Sequence, residues 1–132
     1  MITVIDSCTW INAIIYGGVE EKVICKAFDL GAVASCDQLW IEIAWVLTRK
    51  FHLPVSTVED SLDFYRLHAI QIQITGEIRG SVDPDDNFIL ECAVRSKARV
   101  IVSSDLKHLV RMEHFEGIPI LTPRQYLRFL SL

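Results

Sequence analysis

Acidic residues follow two apolar segments that predict buried strands. Asp6 ends the run at residues 2–5, and Asp105 comes shortly after the run at residues 100–103. If both strands belong to a parallel sheet, their carboxyl ends meet at one rim, where sites lie in folds of this kind. A helix cap is the alternative explanation for each aspartate, because a predicted helix follows both. Two aspartates on one rim favour a shared site.

Glu42 lies in a predicted helix that is apolar on nearly every side. Leu39, Trp45 and Val46 fall on its face at spacings of three and four residues. An ionised carboxylate buried there is costly unless it is paired or bound to a cation. The alternatives are an ion pair with Arg49 or a side chain that reaches solvent at the helix edge. The pattern indicates an acid with a partner or a function.

A third acidic group, Asp83-Pro84-Asp85-Asp86-Asn87, precedes another predicted helix. Capping explains one aspartate at a helix N-terminus, but it does not explain three. Carboxylates this close repel each other, so some are protonated unless a cation is present. Hard divalent ions such as Mg²⁺ and Mn²⁺ take oxygen ligands. Acids from separate segments around such an ion suit the metal-assisted attack of water on a phosphodiester.

Strand and helix signals alternate along the chain and predict the frame for these acids. The predicted order is β-α-α-β-α-α-β-α-β-α-β-α, with strands at residues 2–5, 32–36, 70–74, 100–103 and 118–121. Continuously apolar strands are typical of a parallel sheet that is covered on both faces. We therefore expect an α/β fold, a three-layer α/β/α sandwich around a parallel sheet of about five strands, in one domain over residues 1–132.

Local signals predict where several helices begin and end. Asp37 is expected to cap the third helix, and Gly31 to follow the second. Capping boxes are expected at residues 56–59 and 122–125, the latter with Pro123 at the first helical position. Residues 75–84 are expected to form a polar loop, and the next helix to start at Asp85 or Asp86.

Composition limits the classes of protein that fit. A chain of 132 residues with 51% hydrophobic side chains can bury a hydrophobic core without help from disulfides or a structural metal. Seventeen acids against thirteen Lys and Arg give a net charge of −4, which disfavours a protein that only holds nucleic acid. No apolar run is long enough to cross a bilayer, and the N-terminus lacks a basic region, so we expect a cytoplasmic protein without a membrane span.

The cysteines, histidines and tryptophans carry weaker signals. The cysteine spacing fits neither a zinc site nor a CxxC pair, so we expect reduced and mostly buried thiols at Cys8, Cys25, Cys36 and Cys92. The four histidines are scattered, and no role is assigned to them. The tryptophans have aliphatic neighbours, which favours a core or a dimer interface over base stacking for Trp10, Trp40 and Trp45.

Five segments in order resemble the PIN-domain ribonucleases, particularly the toxins of prokaryotic toxin–antitoxin pairs. Asp6 in Val-Ile-Asp-Ser resembles the first catalytic aspartate, and Glu42 the acid of the Glu-x-x-x-x-Leu helix. Asp86 matches the last aspartate of Asp-Pro-x-Asp-Asn, and Asp105 that of Thr-x-Asp-x-x-Leu. Residues 117–123 resemble the closing strand and turn. The resemblance covers essentially the whole chain.

The resemblance implies a metal-dependent endoribonuclease. Asp6, Glu42, Asp86 and Asp105 are implied to hold one or two Mg²⁺ or Mn²⁺ ions that activate water against RNA. Asp85 and Ser103 are implied helpers, although Asp85 is equally a helix cap. Contacts with the RNA backbone are expected from Arg49, Lys50 and Arg79, for which solvated surface charge is the alternative. A cognate antitoxin and a homodimer are the implied protein partners.

Cys8 departs from the family pattern, which usually has asparagine two residues after the first aspartate. A thiol is a poor substitute for an amide in orienting an acid or contacting a phosphate. Asn12, one helical turn further on, is a candidate replacement. The first alternative is therefore a catalytically impaired PIN-fold binding module. The second is a phospho-accepting receiver domain, which has the same α/β order but needs an acidic pair after the first strand.

Overall fold

A parallel sheet with one antiparallel edge strand forms the centre of the computed structural model, which describes residues 1–80 and 83–131. In that part of the chain the sheet has six strands in the order β3-β2-β1-β4-β6-β5. The strands are β1 (Ile2–Ile5), β2 (Ala32–Ser35), β3 (Ile70–Gln71), β4 (Val100–Val102), β5 (His114–Phe115) and β6 (Ile118–Leu121). The predicted α/β class with a mostly parallel sheet is confirmed.

The register places the most buried strands side by side in the sheet. Val4 of β1 lies opposite Ala34 of β2 on one side and Ile101 of β4 on the other, with all three strands parallel. All three side chains are buried. This is the arrangement expected for continuously apolar strands that are covered on both faces.

Both edges of the sheet differ from the prediction. β3 covers two residues instead of the predicted five, because the glutamines that alternate with its isoleucines leave it exposed at one edge. β5 was not predicted at all. It runs antiparallel to β6, pairing Phe115 with Ile118 through a turn in which Gly117 has a φ of 79°. Two-residue edge strands carry too short a pattern to be detected in a sequence.

Seven helices in the described residues cover the sheet and one another. They are α1 (Ser7–Tyr16), α2 (Gly18–Leu30), α3 (Asp37–Arg49), α4 (Val55–His68), α5 (Asn87–Ser96), α6 (Leu109–Met112) and α7 (Pro123–Leu130). A 3-10 turn at Pro84–Asp86 precedes α5. No helix among the described residues is long and apolar enough to cross a membrane.

The helix starts differ from prediction at two places. Cys36 is the N-cap of α3, and Asp37 is its first residue. α4 begins at Val55 behind Pro54, so the capping box predicted at residues 56–59 is wrong. Proline fixes the φ of the cap residue and starts this helix two residues earlier than a cap at Ser56 would. The capping box between Thr122 and Gln125 is confirmed, with both reciprocal hydrogen bonds present.

Gly31 follows α2 as predicted, but the reason for the glycine is close packing. Its φ of 173° is extended backbone, which any residue adopts. A Cβ at this position would lie 2.0 Å from the Met1 carbonyl oxygen. The chain therefore needs glycine where β2 begins beside β1, instead of at a left-handed helix end.

The core is aromatic on one side of the sheet. Trp10 lies between Trp40 and Tyr65, with ring centroids 5.0 Å away from each. Trp10 and Trp40 are thus core residues as predicted, whereas Trp45 is 54% exposed. The prediction of mostly buried thiols is wrong for half of the set, because Cys8 and Cys25 are exposed.

Candidate active site

An acidic cleft of about 560 Å³ opens at the carboxyl ends of β1 and β4. These strands are adjacent and parallel, so the residues that follow them meet there. Four separate segments supply its acids. The walls are formed by Asp6, Ser7, Cys8, Glu42, Asp83, Asp85, Asp86, Ser104, Asp105, Leu106, Lys107 and His108. All four acids predicted for the site therefore lie in one cleft.

Asp6 lies deepest and is held on two sides. It is 3% exposed and caps α1, where Oδ1 accepts a hydrogen bond from the Thr9 N–H at 2.9 Å. Its Oδ2 accepts a hydrogen bond from the Ser103 hydroxyl at 2.5 Å. Burial raises the pKa of Asp6, the Ser103 and Thr9 hydrogen bonds oppose this, and the charge of Asp105 adds to it. The predicted helix cap and the predicted site residue are thus the same side chain.

Asp105 forms a closed turn with the residues after it. Its Oδ1 accepts hydrogen bonds from the backbone N–H groups of Lys107 and His108, each at 3.2 Å. Its Oδ2 lies 3.0 Å from His108 Nδ1. The Asp105 N–H donates to Ser103 Oγ at 2.9 Å, so Ser103 links Asp105 to Asp6. His108 was missed in the sequence, although its spacing of three residues from Asp105 was a detectable signal.

Asp83, Asp85 and Asp86 lie around the 3-10 turn before α5. Asp83 caps this turn through Oδ1, which accepts a hydrogen bond from the Asp85 N–H at 3.0 Å. Asp86 is the N-cap residue of α5. Its Oδ2 is buried and has no hydrogen-bond partner among the described residues. Burial, followed by the charges of Asp105 and Asp83, raises the pKa of Asp86 to about 7.

This combination fits a divalent cation. One ligand atom each from Asp83, Asp86 and His108 lies within 4.8 Å of the others. Asp86 also carries a buried oxygen without a hydrogen-bond partner in the described chain and a pKa raised by neighbouring acids. A cation would supply the missing partner and offset the repulsion between the carboxylates. Carboxylate oxygens suit ions such as Mn²⁺ and Mg²⁺.

Glu42 reaches the cleft from α3 and is half-buried. Burial raises its pKa, a hydrogen bond from Ser7 opposes this, and the charge of Asp6 adds to it. The expectation that its whole face is buried is wrong, because Trp45 is exposed while Leu39 is buried. On this face of α3, Leu39 therefore packs in the core, and Trp45 lines an open groove.

Cys8 stands at the cleft wall where the family usually has asparagine. Burial and the charges of Asp6 and Asp105 raise the pKa of its thiol to about 11, so the thiol is neutral at physiological pH. The Asn12 amide nitrogen lies 3.9 Å from Cys8 Sγ. Asn12 therefore contacts the thiol from one helical turn further along α1.

The three basic residues expected at the RNA backbone lie at different places. Arg79 lines a groove of about 660 Å³ that shares Glu42 and Asp85 with the acidic cleft. Arg49 and Lys50 lie at the C-terminal end of α3, roughly 11 Å along the helix from Glu42. Only Arg79 of the three is thus placed beside the cleft.

Glu91 on α5 is a buried acid that the sequence interpretation missed. It is 1% exposed and accepts hydrogen bonds from the Thr75 and Gly76 N–H groups at 2.6 and 2.9 Å. Arg95 Nε donates to it at 2.7 Å. Burial opposes its ionisation, but these donors lower its pKa to about 2. The signal was an acid in an apolar helical run with arginine four residues later, the same criterion that singled out Glu42.

An α/β fold with acids at the carboxyl ends of adjacent parallel strands defines a protein with an acidic site at the rim of its sheet. Comparisons with known proteins identify its family. Residues 3–107 match the family model described as a PIN domain. The chain therefore belongs to the PIN-domain family, whose members are generally nucleases. The resemblance predicted from the sequence is confirmed, and the receiver-domain alternative is wrong.

A solved structure with the same fold is that of VapBC2 from Rickettsia felis bound to a DNA fragment from their promoter. The two chains superpose with a TM-score of 0.66 at 13% identity, over 92% of this chain and 98% of the other. The likeness at this identity shows the fold. A comparison with curated proteins gives no sequence match.

Proposed function

We propose that the protein is a metal-dependent endoribonuclease that acts as the toxin of a toxin–antitoxin pair. The observation that carries this proposal is the convergence of acids from four segments on one cleft, where Asp86 has a buried oxygen without a hydrogen-bond partner among the described residues. When bound, Mg²⁺ or Mn²⁺ supplies an activated water and neutralises charge on the leaving oxygen. Asp6, Glu42, Asp86 and Asp105 are the proposed catalytic acids.

The residues around these acids have proposed supporting roles. Ser103 donates to Asp6 and accepts from the Asp105 N–H, which fixes both carboxylates relative to each other. Asp85 is exposed and lines both the cleft and the groove, so it is placed to contact a substrate or a hydrated ion. Arg79 is the proposed contact to the RNA backbone, because it lines the groove next to the cleft. The proposed RNA contacts of Arg49 and Lys50 lie at the C-terminal end of α3.

Cleavage of end-labelled single-stranded RNA in Mn²⁺, Mg²⁺ or EDTA tests the nuclease. Asp6→Asn and Glu42→Gln are expected to abolish cleavage while keeping the fold, since asparagine also caps α1. Asp29→Asn is the matched control, because Asp29 is exposed on α2. Cleavage that persists in EDTA, or in both active-site variants, would contradict the proposal. Absence of cleavage from folded wild-type protein would favour the impaired binding module.

We further propose a cognate antitoxin and a homodimer in the cytoplasm. The VapBC2 structure has a similar fold, and its name pairs two components. Ile41 and Trp45 are 68% and 54% exposed on α3 beside the cleft. Exposed apolar side chains of this kind are typical of protein contacts. Light scattering is expected to give a dimer mass for the wild-type protein and a monomer mass after Trp45→Asp. A wild-type monomer would contradict the homodimer.

A further inference from the structure

The two oxygens of Asp105 are engaged inside its own turn. Oδ1 accepts from two backbone N–H groups, and Oδ2 faces His108 Nδ1. Asp6 is engaged in a similar way by Thr9 and Ser103. Both carboxylates therefore already have hydrogen-bond partners in the protein. The family pattern implies that both of them hold the ion, directly or through water.

The groups gathered closest around one point are those of Asp83, Asp86 and His108. Their ligand atoms lie within 4.8 Å of one another. Ligands at about 2.1 Å around an octahedral ion are separated by roughly 3 to 4 Å, so small side-chain rotations bring this set into range. Asp86 Oδ2 is the buried oxygen that has no partner among the described residues.

The contact with Asp105 prepares the His108 ring for a metal. An ionised carboxylate only accepts hydrogen bonds, so Nδ1 is the donor in such a pair, and in the neutral ring Nε2 is then the nitrogen with the free lone pair. A carboxylate that holds one ring nitrogen while the other binds metal is the usual arrangement around histidine ligands. His108 is partly exposed and lies at the cleft wall, so its ring can reach an ion there.

We propose that His108 is a direct nitrogen ligand of the divalent ion, together with Asp83 and Asp86, and that the Asp105 carboxylate orients the imidazole. This inference rests on the proposed function only in that a divalent ion binds in the cleft. An imidazole ligand strengthens binding of Mn²⁺ and later transition metals relative to Mg²⁺, which prefers oxygen. His108 thus gives this site a preference for Mn²⁺ over Mg²⁺.

Pulsed electron paramagnetic resonance of the Mn²⁺-loaded protein tests the ligand directly, since a bound imidazole produces a ¹⁴N coupling. We expect this coupling in the wild-type protein and its loss in His108→Ala. His114→Ala is the matched control, because His114 is exposed on β5, outside the cleft. Calorimetry is expected to show Mn²⁺ affinity falling about tenfold or more in His108→Ala, with a smaller change for Mg²⁺. Thermal denaturation checks that each variant is folded.

The Asp105→Asn variant tests the role of Asp105 in orienting the His108 ring. We expect Mn²⁺ affinity to fall by roughly 10- to 100-fold in this variant while the ¹⁴N coupling persists in the loaded protein. Mn²⁺ binding without any ¹⁴N coupling in the wild type would overturn the role of His108 and leave the nuclease proposal intact. A persistent coupling without RNA cleavage would support His108 and remove the nuclease. Folded protein that binds no Mn²⁺ would overturn both.

Discussion

The ionised side chain of Asp86 lowers the stability of the folded protein when no ion is bound. Its folded-state pKa is about 7 because of burial and neighbouring acids, well above its ordinary value of 3.8. Above pH 7 the folded protein therefore carries an unfavourable charge that the unfolded chain tolerates. As the pH falls from 7 towards 4, protonation of the folded state removes this cost. A divalent ion bound at the same carboxylate has the same effect at higher pH.

The first prediction follows from this cost. Asp86→Asn is expected to raise the melting temperature at pH 8 in EDTA by about 3 °C or more, because it removes the repelled charge. The gain is expected to shrink to nothing near pH 4. Mn²⁺ is expected to stabilise the wild-type protein and not the variant. Thermal denaturation measures both effects, with Asp29→Asn as control. An Asp86→Asn protein that melts lower in EDTA would contradict the pKa argument.

A second prediction concerns Cys8, where this chain departs from its family. The thiol stays protonated because its pKa is about 11, so it offers the cleft only a weak donor. Cys8→Asn places an amide with donors and acceptors beside Asp6 and is expected to increase kcat/KM for RNA roughly tenfold. Cys8→Ser is the control for size. A decrease in kcat/KM in Cys8→Asn would show that the thiol is adapted to this site.

At the scale of elements, the long segments were predictable and the short ones were not. β1 and β4 are mostly apolar, and they were predicted as parallel strands whose carboxyl ends meet at one rim. β5 depends on a tight turn at Gly117 and has no periodic pattern of its own. The start of α4 was misjudged because Pro54 and Ser56 both signal helix starts, and proline is the first of the two along the chain.

The buried acids also show that local sequence patterns do not predict tertiary contacts. Glu42 and Glu91 both interrupt apolar helices, but burial depends on which neighbours the fold supplies. Glu91 is almost fully buried because the loop after β3 brings two backbone N–H groups to it. Loop paths of this kind are set by tertiary contacts, which no local spacing reveals. His108 was overlooked because a histidine gains its role from the group it faces.

The third prediction concerns Glu91, which links α5 to the loop after β3. Its pKa of about 2 lies below its ordinary value of 4.5, so its contribution to stability is complete above pH 4.5 and is lost as the pH falls towards 2. Glu91→Gln is expected to lower the free energy of unfolding at pH 7 by about 1–3 kcal/mol, because a buried acceptor with charged partners is weakened. This deficit is expected to disappear near pH 2.

Glu77→Gln is the matched control for Glu91→Gln. Glu77 also contacts Arg95, at 3.3 Å, but its side chain is 78% exposed. An exposed pair contributes about 0–1 kcal/mol, so this variant is expected to be close to wild type. Urea denaturation at pH 7 and at several acidic pH values measures both variants. Equal losses of unfolding free energy in the two variants would show that the burial of Glu91 does not increase its contribution to stability.

At the scale of the whole molecule, charge sets the conditions for the proposed binding of RNA. The chain carries a net charge of −4, and the cleft concentrates its acids. A polyanion is repelled from such a surface unless cations intervene, since phosphate contacts dominate nucleic-acid affinity. The chain thus differs from binding proteins whose own basic surface supplies the attraction.

The fourth prediction is that RNA binding requires the divalent ion. A fluorescent, cleavage-resistant 2′-O-methyl RNA is expected to bind at least about tenfold more tightly in Mn²⁺ than in EDTA at constant ionic strength, because the ion neutralises the acids in the cleft. Asp86→Asn is expected to lose most of this gain, and Asp29→Asn none of it. Fluorescence anisotropy measures all three proteins. Equal affinity in Mn²⁺ and EDTA would show that the RNA binds away from the acids, and would separate RNA binding from the proposed cleavage site.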